Sequence, residues 1–215
     1  LNLMKIFPNE KAFFLQDAII NFDNFYPFKK INFKDFGIVN KKIILGVGRL
    51  TVQKNFSYLI NEFSKFLKIK DQYVLVILGK GEEKNNLIKL IKKKNLSNSV
   101  YLLGNVKNVY DFMRSSDLFV LSSLWEELGF VIAEAALNNL FIISSDCPNG
   151  PKEFLNYGKN GIIYSTNKEN SLLDALVNFS DLKNHKEKII NAKKNCSKYT
   201  KFNHHKNLIK IILNK

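Results

Sequence analysis

Two glutamates, Glu126 and Glu134, stand in one stretch of this sequence with seven residues between them. The pattern of the stretch predicts a strand, then a loop that holds Glu126, then a helix that holds Glu134 about one turn inside. Glu134 then lies on the same side of the helix as Phe130 and Val131, whose apolar side chains indicate a partly buried face. A buried carboxylate requires a partner. Adjacent hydroxyls of a ribose or another sugar would supply one, because an ionised carboxylate only accepts hydrogen bonds.

The start of this predicted helix is suited to an anion. Gly129 precedes it and carries no side chain that would keep a ligand from the backbone. The first amides of the helix, from residues 130–132, have no intrahelical partner, so they and the helix dipole favour negative charge. A diphosphate fits that geometry. These residues also leave an alternative open, in which Glu134 complements the helix dipole and Glu126 is a solvated loop charge.

The second candidate stretch carries a rare arginine. Arg49 and Arg114 are the only arginines in a chain that otherwise uses lysine for positive charge. A site that needs a rigid, bidentate cation would retain arginine, because lysine is only a point charge. Arg49 follows Gly48 at the end of a predicted strand, and Lys54 begins the next predicted helix, so the stretch indicates a phosphate clamp. A turn with two solvated cations is the alternative, and it suits Lys54 better than Arg49.

The elements that must position these residues follow an alternating pattern. From Lys41 onward, strand-length apolar runs alternate with segments of helical period, which is typical of βαβ units around a parallel sheet. We predict an α/β fold with a doubly wound, mainly parallel, six-stranded Rossmann-like sheet and C-terminal helices. The predicted strands are about 42–47, 73–78, 99–103, 118–121, 140–144 and 161–164, and the predicted helices about 54–68, 83–94, 107–115, 130–138 and 151–156.

The predicted rim of the site is the carboxyl edge of this sheet, where ligands of open α/β sheets bind. A length of 215 residues suits one main domain of this kind. We expect a linker or the remnant of a preceding N-terminal domain over residues 1–40, the Rossmann-like domain over 41–180, and lysine-rich closing helices over 181–215. The first residues show no pattern typical of a secretory leader, and an excised fragment is one expectation for this chain.

Together these stretches resemble the C-terminal, donor-binding domain of the family 4 glycosyltransferases, the retaining GT-B enzymes. The resemblance covers about residues 40–165, with a looser match in the last helices. It rests on the glutamate pair followed by Ala135, and on the short motifs Gly48-Arg49-Leu50 with Gln53-Lys54, Leu78-Gly79-Lys80-Gly81 and Leu103-Gly104. The departures are Glu127 and Leu128, which stand where Gly and Phe are common and put the loop shape, and hence sugar specificity, in doubt.

The resemblance implies a role for each candidate residue. Arg49 and Lys54 would bind the donor diphosphate and stabilise the leaving group, Glu126 would contact the transferred sugar, and Glu134 would bind the ribose. Amides at the helix start would complete the phosphate site, and the loop after Gly104 would face the base. The candidate catalytic residues are therefore Arg49, Lys54 and Glu126, and the candidate donor-binding residues are Gly48, Asn105, Val106, Gly129, Phe130, Val131 and Glu134.

A further segment, residues 146–153, is similar to one common in bacterial members that add N-acetylgalactosamine, galactose or related sugars. Pro148 and Gly150 favour a tight turn, and Pro151 favours a helix start beside the same rim. A purely structural turn and a role in sugar recognition remain equally open for this segment.

No metal and no cofactor are expected. The sequence has no Asp-x-Asp pair, so a divalent metal that bridges the diphosphate would lack its usual carboxylates. The nucleotide sugar itself would be a substrate. His185, His204 and His205 fall in the helical tail, where solvated histidines are expected, and the resemblance places the family's functional histidine and acceptor site in an N-terminal domain.

The expected partners are a UDP-sugar and a glycan or polyprenyl-linked acceptor. The net charge of +14 suits peripheral association with an anionic membrane surface, but the basic residues follow a general lysine bias, and we expect no nucleic-acid partner. Cys147 and Cys196 have no metal-ligand or disulfide-framework spacing, so a reducing cytoplasm, at the inner face of the membrane, is the expected location.

The predicted function is transfer of a sugar, such as GalNAc, Gal or GlcNAc, from an NDP-sugar, expected to be UDP-linked, with retention of configuration. The alternative is a nucleotide-sugar-binding module that is inactive alone, because the acceptor half is missing.

Overall fold

The structure is a computed structural model that describes Leu15, Ala18, Ile20 and residues 27–127, 129–182 and 184–213. Its centre is a six-stranded parallel sheet with the strand order 3-2-1-4-5-6. This is the doubly wound order of dinucleotide-binding folds. The strands are β1 (Lys42–Val47), β2 (Tyr73–Leu78), β3 (Val100–Gly104), β4 (Leu118–Leu121), β5 (Phe141–Ser145) and β6 (Ile162–Tyr164). The predicted fold class is confirmed.

Each central strand is apolar along its whole length because both of its faces are buried. In β1, Ile43 and Leu45 point into one hydrophobic cluster and Ile44 into the other. The same alternation runs through β2, where Val74 and Val76 face the first cluster, and it follows from the two-residue period of a strand. The sheet therefore separates two cores, and helices are required on both sides.

The helices occupy those two layers. The bounds are α1 (Phe56–Leu67), α2 (Lys84–Lys93), α3 (Val109–Arg114), α4 (Phe130–Leu137), α5 (Pro151–Phe154), α6 (Ser171–Asp181), α7 (Lys186–Asn195) and α8 (Lys201–Leu213). Buried side chains of α1, α2 and α6 fill one core, and those of α3, α4, α5 and α7 fill the other. No residue of α8 is buried.

One helix boundary differs from its prediction in a way that matters for the site. The helix expected from residue 54 begins at Phe56, because Val52–Lys54 forms a separate 3-10 turn. Asn55 joins the two with a left-handed backbone, at φ 49°. Asparagine tolerates that conformation better than most residues do. Lys54 therefore ends a tight turn beside the sheet instead of starting a long helix.

The described part of the N-terminal segment packs on α3. The Phe33 and Phe36 rings lie 6.0 and 5.9 Å from the Phe112 ring, and the Lys29 amide donates to Asp111 at 3.0 Å. Residues 27–40 are thus attached to the sheet's helix layer. The preceding domain remnant predicted for residues 1–40 falls mainly on positions outside the described residues, and the predicted domain boundaries stay predictions.

Candidate functional site

The candidate site lies where the strand order reverses, between β1 and β4. Loops leave the carboxyl ends of these neighbouring strands toward opposite faces of the sheet, which opens a crevice at this point in doubly wound folds. A cavity of about 520 Å³ occupies the crevice. It is lined by Val47, Gly48, Arg49, Gln53, Lys54, Trp125, Glu126, Glu127, Gly129, Phe130, Val131 and Glu134. The structure thus gathers eight of the ten predicted site residues in one cavity.

The other two predicted residues lie in an adjoining cavity of about 280 Å³. Asn105 and Val106 line it together with the end of β2 and with Lys80. Four residues line both cavities, namely Val47, Gly48, Arg49 and Glu134. Arg49 and Glu134 therefore lie between two adjoining cavities, which suits an elongated ligand with an anionic middle section.

Glu126 is held by two donors of the chain itself. Its Oε1 accepts from the Lys54 ammonium at 2.5 Å and from the Ser123 hydroxyl at 2.5 Å. The Glu126 side chain is only 7% exposed and that of Lys54 14%. Taking the carboxylate out of water is thus compensated by a cation and a hydroxyl. This ion pair was not predicted, and it places Lys54 against Glu126, within the cavity where a diphosphate would lie.

The loop that carries Glu126 is attached to the turn that carries Lys54. The Ser122 hydroxyl donates to the Lys54 carbonyl at 2.7 Å, and the Gln53 side-chain amide donates to the Trp125 carbonyl at 2.8 Å. The Leu124 amide also donates to the Gln53 carbonyl, at 2.8 Å. These bonds join two segments that are about seventy residues apart in sequence and fix their relative position.

Two buried serines below Glu126 were missed by the sequence analysis. Ser123 donates to the glutamate, and its own carbonyl accepts from the Ser145 hydroxyl at 2.7 Å. Both residues are fully buried at the carboxyl ends of β4 and β5. The sequence did contain a signal for these serines, since both apolar strands are followed by or end in a Ser-Ser pair at the predicted rim. Buried hydroxyls at such a position need polar partners.

Glu134 has a different environment. Its Oε1 accepts from the Tyr110 hydroxyl of α3 at 3.1 Å. Burial raises the pKa of the Glu134 carboxyl above its usual value, while the hydrogen bond from Tyr110 lowers it, and burial prevails. Its charge is therefore incompletely compensated in this structure, and ligand hydroxyls would supply the donors that it lacks. Tyr110 was also missed, and a tyrosine within an apolar helix gives little sign of such a role.

Arg49 is exposed at the end of β1. No side chain among the described ranges forms an ion pair or hydrogen bond with its guanidinium, so its five donors are available to a ligand. Close backbone packing positions it. A Cβ on Gly79 would lie 1.8 Å from the Gly48 carbonyl oxygen, so only glycine allows the ends of β1 and β2 to approach this closely.

The start of α4 faces the larger cavity as predicted, with one correction. Gly129 precedes the helix in a left-handed conformation, at φ 64° and ψ 56°, which favours glycine. The amides of Phe130 and Val131 have no intrahelical partner. The Ile132 amide, however, donates to the Gly129 carbonyl at 2.8 Å, so the prediction that it is free was wrong. The amides of Phe130 and Val131 therefore remain for the predicted anion site.

The segment 146–153 has a structural role at its first residue. The Asp146 carboxylate accepts from the Thr166 amide, the Thr166 hydroxyl and the Ser165 hydroxyl at 2.8 to 2.9 Å. Burial works to raise the pKa of Asp146, but these bonds and the Lys152 charge outweigh it and lower that pKa. The carboxylate thus joins the ends of β5 and β6. The alternative role of the segment 146–153 in sugar recognition stays a prediction, as does the effect of Leu128, which lies outside the described residues.

Metal-ligand clusters and membrane-spanning helices were sought in the described residues. Within residues 27–127, 129–182 and 184–213, no group of three or more His, Cys, Asp or Glu side chains could hold a metal ion. In those same ranges, no helix has the length and apolar character needed to cross a membrane.

Comparison with known proteins supplies the family. The sequence model described as "Glycosyl transferases group 1" matches residues 28–196, which is most of the chain. An uncharacterized glycosyltransferase of Methanocaldococcus jannaschii is 47% identical over 113 residues, which cover 53% of this chain and 28% of that protein.

A second relative has a more specific name. The N-acetylgalactosamine-N,N'-diacetylbacillosaminyl-diphospho-undecaprenol 4-alpha-N-acetylgalactosaminyltransferase of Campylobacter jejuni is 33% identical over 135 residues. The match covers 63% of this chain and 36% of that protein. The chain thus spans about a third of the length of the curated relatives that it matches.

A solved structure agrees with the architecture. The crystal structure of Anabaena HepE in complex with UDP superposes with a TM-score of 0.75 at 20% sequence identity. It covers 85% of this chain and 51% of that one. At this identity the likeness supports the fold.

Proposed function

This chain belongs to the family of group 1 glycosyl transferases, and we propose that it is the donor-binding part of an enzyme that transfers a sugar from a UDP-sugar to a glycan or lipid-linked acceptor. One observation carries the proposal: Arg49 and Glu134 line both of two adjoining cavities at the switch point of the sheet. A nucleotide sugar has the matching order of parts, with a base and ribose, a diphosphate, and a sugar.

The proposed placement puts each part of the donor against a suitable group. The base occupies the smaller cavity beside Asn105 and Val106, and the ribose hydroxyls donate to Glu134. The diphosphate lies against the Arg49 guanidinium and the two amides at the start of α4. The transferred sugar then reaches the Glu126 side of the larger cavity. This placement would supply Glu134 with further donors and Arg49 with an anion, and both residues line the larger cavity.

Catalysis by this arrangement would be mainly electrostatic. As the bond between the anomeric carbon and the diphosphate breaks, negative charge develops on the leaving phosphate oxygen. In the proposed placement, Arg49, Lys54 and the amides of Phe130 and Val131 would stabilise that charge, and preorganised donors are effective because they need little rearrangement. Glu126 orients the sugar, and the acceptor attacks from the face of the leaving group, with retention of configuration.

The names of the relatives support a more specific proposal for the donor sugar and the acceptor. The Campylobacter jejuni relative is named for the transfer of N-acetylgalactosamine to a diphospho-undecaprenol-linked glycan, and HepE was crystallised with UDP. We therefore propose a UDP-linked GalNAc, Gal or GlcNAc donor and a glycan or polyprenyl-linked acceptor. The net charge of +14 supports peripheral attraction to an anionic membrane surface at its cytoplasmic face. Sedimentation with anionic and neutral vesicles tests that attraction.

Calorimetry with UDP and a panel of UDP-sugars tests the proposed donor site. We expect binding of one UDP per chain, and we expect Arg49→Lys to weaken it about tenfold or more, because lysine cannot form the bidentate contact with phosphate. Arg114→Lys is the matched control, since Arg114 lies on α3 outside both cavities, and it should leave UDP affinity unchanged. Equal affinity in all three proteins would refute the proposed phosphate clamp.

The alternative is a binding module without turnover by itself. It is favoured by the observation that the chain spans about a third of its curated relatives. A radiolabelled UDP-sugar and a lipid-linked acceptor distinguish the two functions. Product formation by this chain supports the complete enzyme, whereas UDP binding without product supports the module.

A further inference from the structure

Exposed aromatic side chains line the larger cavity beside its charged residues. Trp125, the single tryptophan of the chain, directly precedes Glu126 and is 51% exposed although it lines the cavity. Phe130 lines the same cavity and is also exposed. Leu124 and Val52, which flank these loops, are exposed too. Large apolar side chains that remain exposed together beside a polar cavity indicate a surface with a function.

The backbone beneath the Trp125 ring is fixed. The Trp125 carbonyl accepts from Gln53, the Leu124 amide donates to the Gln53 carbonyl, and the next residue, Glu126, is held by Lys54 and Ser123. No aromatic ring and no cation among the described residues stacks on the indole. The chain thus holds a large aromatic ring at the cavity mouth and leaves it half exposed.

This combination of groups matches the chemistry of a pyranose ring. A sugar presents hydroxyls around its edge and apolar C–H groups on its faces, so it suits a site with carboxylates on one side and an aromatic ring on another. Pockets for small ligands commonly combine an aromatic wall with a few placed polar groups, and an indole provides a wide apolar surface. Glu126 supplies the acceptor oxygens, and its chain neighbour Trp125 supplies the wall.

We propose that Trp125 forms the wall of a sugar subsite at the mouth of the larger cavity, where its indole stacks on the apolar face of a pyranose. The inference rests on the proposed function, which places a sugar on the Glu126 side. The pyranose comes from one of two sources, the transferred sugar of the donor or a terminal sugar of the acceptor. Both present the same C–H face, and the experiment separates them.

Intrinsic fluorescence reports on this subsite directly, because no other tryptophan contributes. The chain is titrated with UDP, with UDP-glucose, UDP-galactose and their N-acetylated forms, and then, with UDP saturating, with the free sugars. We expect at least one sugar-bearing ligand to cause a saturable blue shift of the emission that UDP alone does not cause. A shift with UDP-sugars identifies the donor sugar as the source, and a shift with free sugars identifies the acceptor.

Calorimetry on Trp125→Ala provides the second readout. The variant should bind UDP as tightly as the unchanged chain, but should bind the responsive sugar ligand about threefold to tenfold more weakly. Trp125→Phe should recover most of the loss, because it keeps an aromatic face. Phe202→Ala is the matched control, since Phe202 is an exposed aromatic of α8 outside the cavity, and should change neither affinity.

The outcomes separate this inference from the function on which it rests. If UDP binds but no sugar ligand shifts the emission, or if Trp125→Ala retains the full sugar affinity, the subsite is refuted and the donor site stands. If neither UDP nor any UDP-sugar binds the unchanged chain, the proposed function itself fails.

Discussion

The two glutamates of the cavity differ in which groups of the chain hold them. Glu126 is almost fully buried and accepts from the Lys54 ammonium and the Ser123 hydroxyl. Glu134 accepts from the Tyr110 hydroxyl, and burial raises its pKa. One carboxylate thus has an oxygen that accepts from both a cation and a hydroxyl, and the other is a buried acceptor with a hydrogen bond from Tyr110.

Within a single site, Glu126 is therefore expected to have a structural role, and Glu134 a role that depends on the ligand. The Glu126 network stabilises the loop whether or not a donor is bound, so its geometry is set in advance. The charge of Glu134 is expected to be favoured only when ligand hydroxyls donate to it. Changes around Glu126 should therefore reduce stability as well as binding, whereas changes at Glu134 should reduce binding and relieve a cost to folding.

The largest effect is expected from Lys54→Met, which leaves Glu126 buried without its cation. Loss of one partner of a buried pair typically costs about 3 kcal/mol, and urea unfolding should show a decrease of this size. Lys70→Met is the matched control, because the Lys70–Asp181 pair is exposed and should contribute less than about 1 kcal/mol. Equal losses in the two variants would contradict the idea that the Glu126 network is a structural element.

A smaller loss is expected from Ser123→Ala. Removal of a hydroxyl that donates to a charged acceptor should lower the free energy of unfolding by about 1.5 kcal/mol and should weaken UDP-sugar binding. Ser144→Ala makes the same change at another fully buried serine, whose hydroxyl donates to the Ser145 carbonyl. Ser144→Ala should leave the affinity for the UDP-sugar intact. If it weakened UDP-sugar binding as much as Ser123→Ala, the effect of Ser123→Ala would not come from the lost hydrogen bond to Glu126.

At Glu134 the expected effect on stability is weaker and depends on pH. The unfolded carboxyl titrates near 4.5, and burial raises the folded pKa. Between these two values the folded chain retains a proton that the unfolded chain has released, so stability falls as pH rises through that window. Glu134→Gln should therefore stabilise the ligand-free chain at neutral pH, and the gain should vanish below pH 4.5.

Urea unfolding across this pH range measures that gain. Glu127→Gln is the control, because Glu127 is an exposed carboxylate of the same cavity whose loss should change stability by less than about 0.5 kcal/mol. UDP affinity of the unchanged chain should rise with pH through the same window, since ligand hydroxyls favour the ionised form. A Glu134→Gln variant less stable than the unchanged chain at neutral pH would contradict the account.

The smallest effect is expected from removal of divalent metal. Because we propose that Arg49, Lys54 and the α4 amides neutralise the diphosphate, addition of EDTA should change UDP affinity by less than about twofold. Calorimetry with and without added magnesium measures this. Loss of UDP binding in EDTA would show that the proposed set of positive groups is incomplete.

The sheet and the rim could be predicted from the sequence because their signals are local. Apolar runs and helical periods located all six strands to within a residue or two at their ends, and parallel strands bring their carboxyl ends to one edge. The contacts inside the rim could not be predicted in the same way. The partners of Glu126 and Glu134 come from Lys54, 72 positions away, and Tyr110, 24 positions away, and no periodic pattern encodes such pairs.

The difference between the two glutamates is tested most directly by calorimetry on Glu134→Ala and Glu126→Gln. The affinities of each variant are measured for UDP and for the UDP-sugar that the unchanged chain binds in the panel. If Glu134 binds the ribose and Glu126 the transferred sugar, Glu134→Ala should weaken both ligands about tenfold or more. Glu126→Gln should weaken the UDP-sugar and leave UDP nearly unchanged. Unaltered UDP affinity in Glu134→Ala would contradict the account.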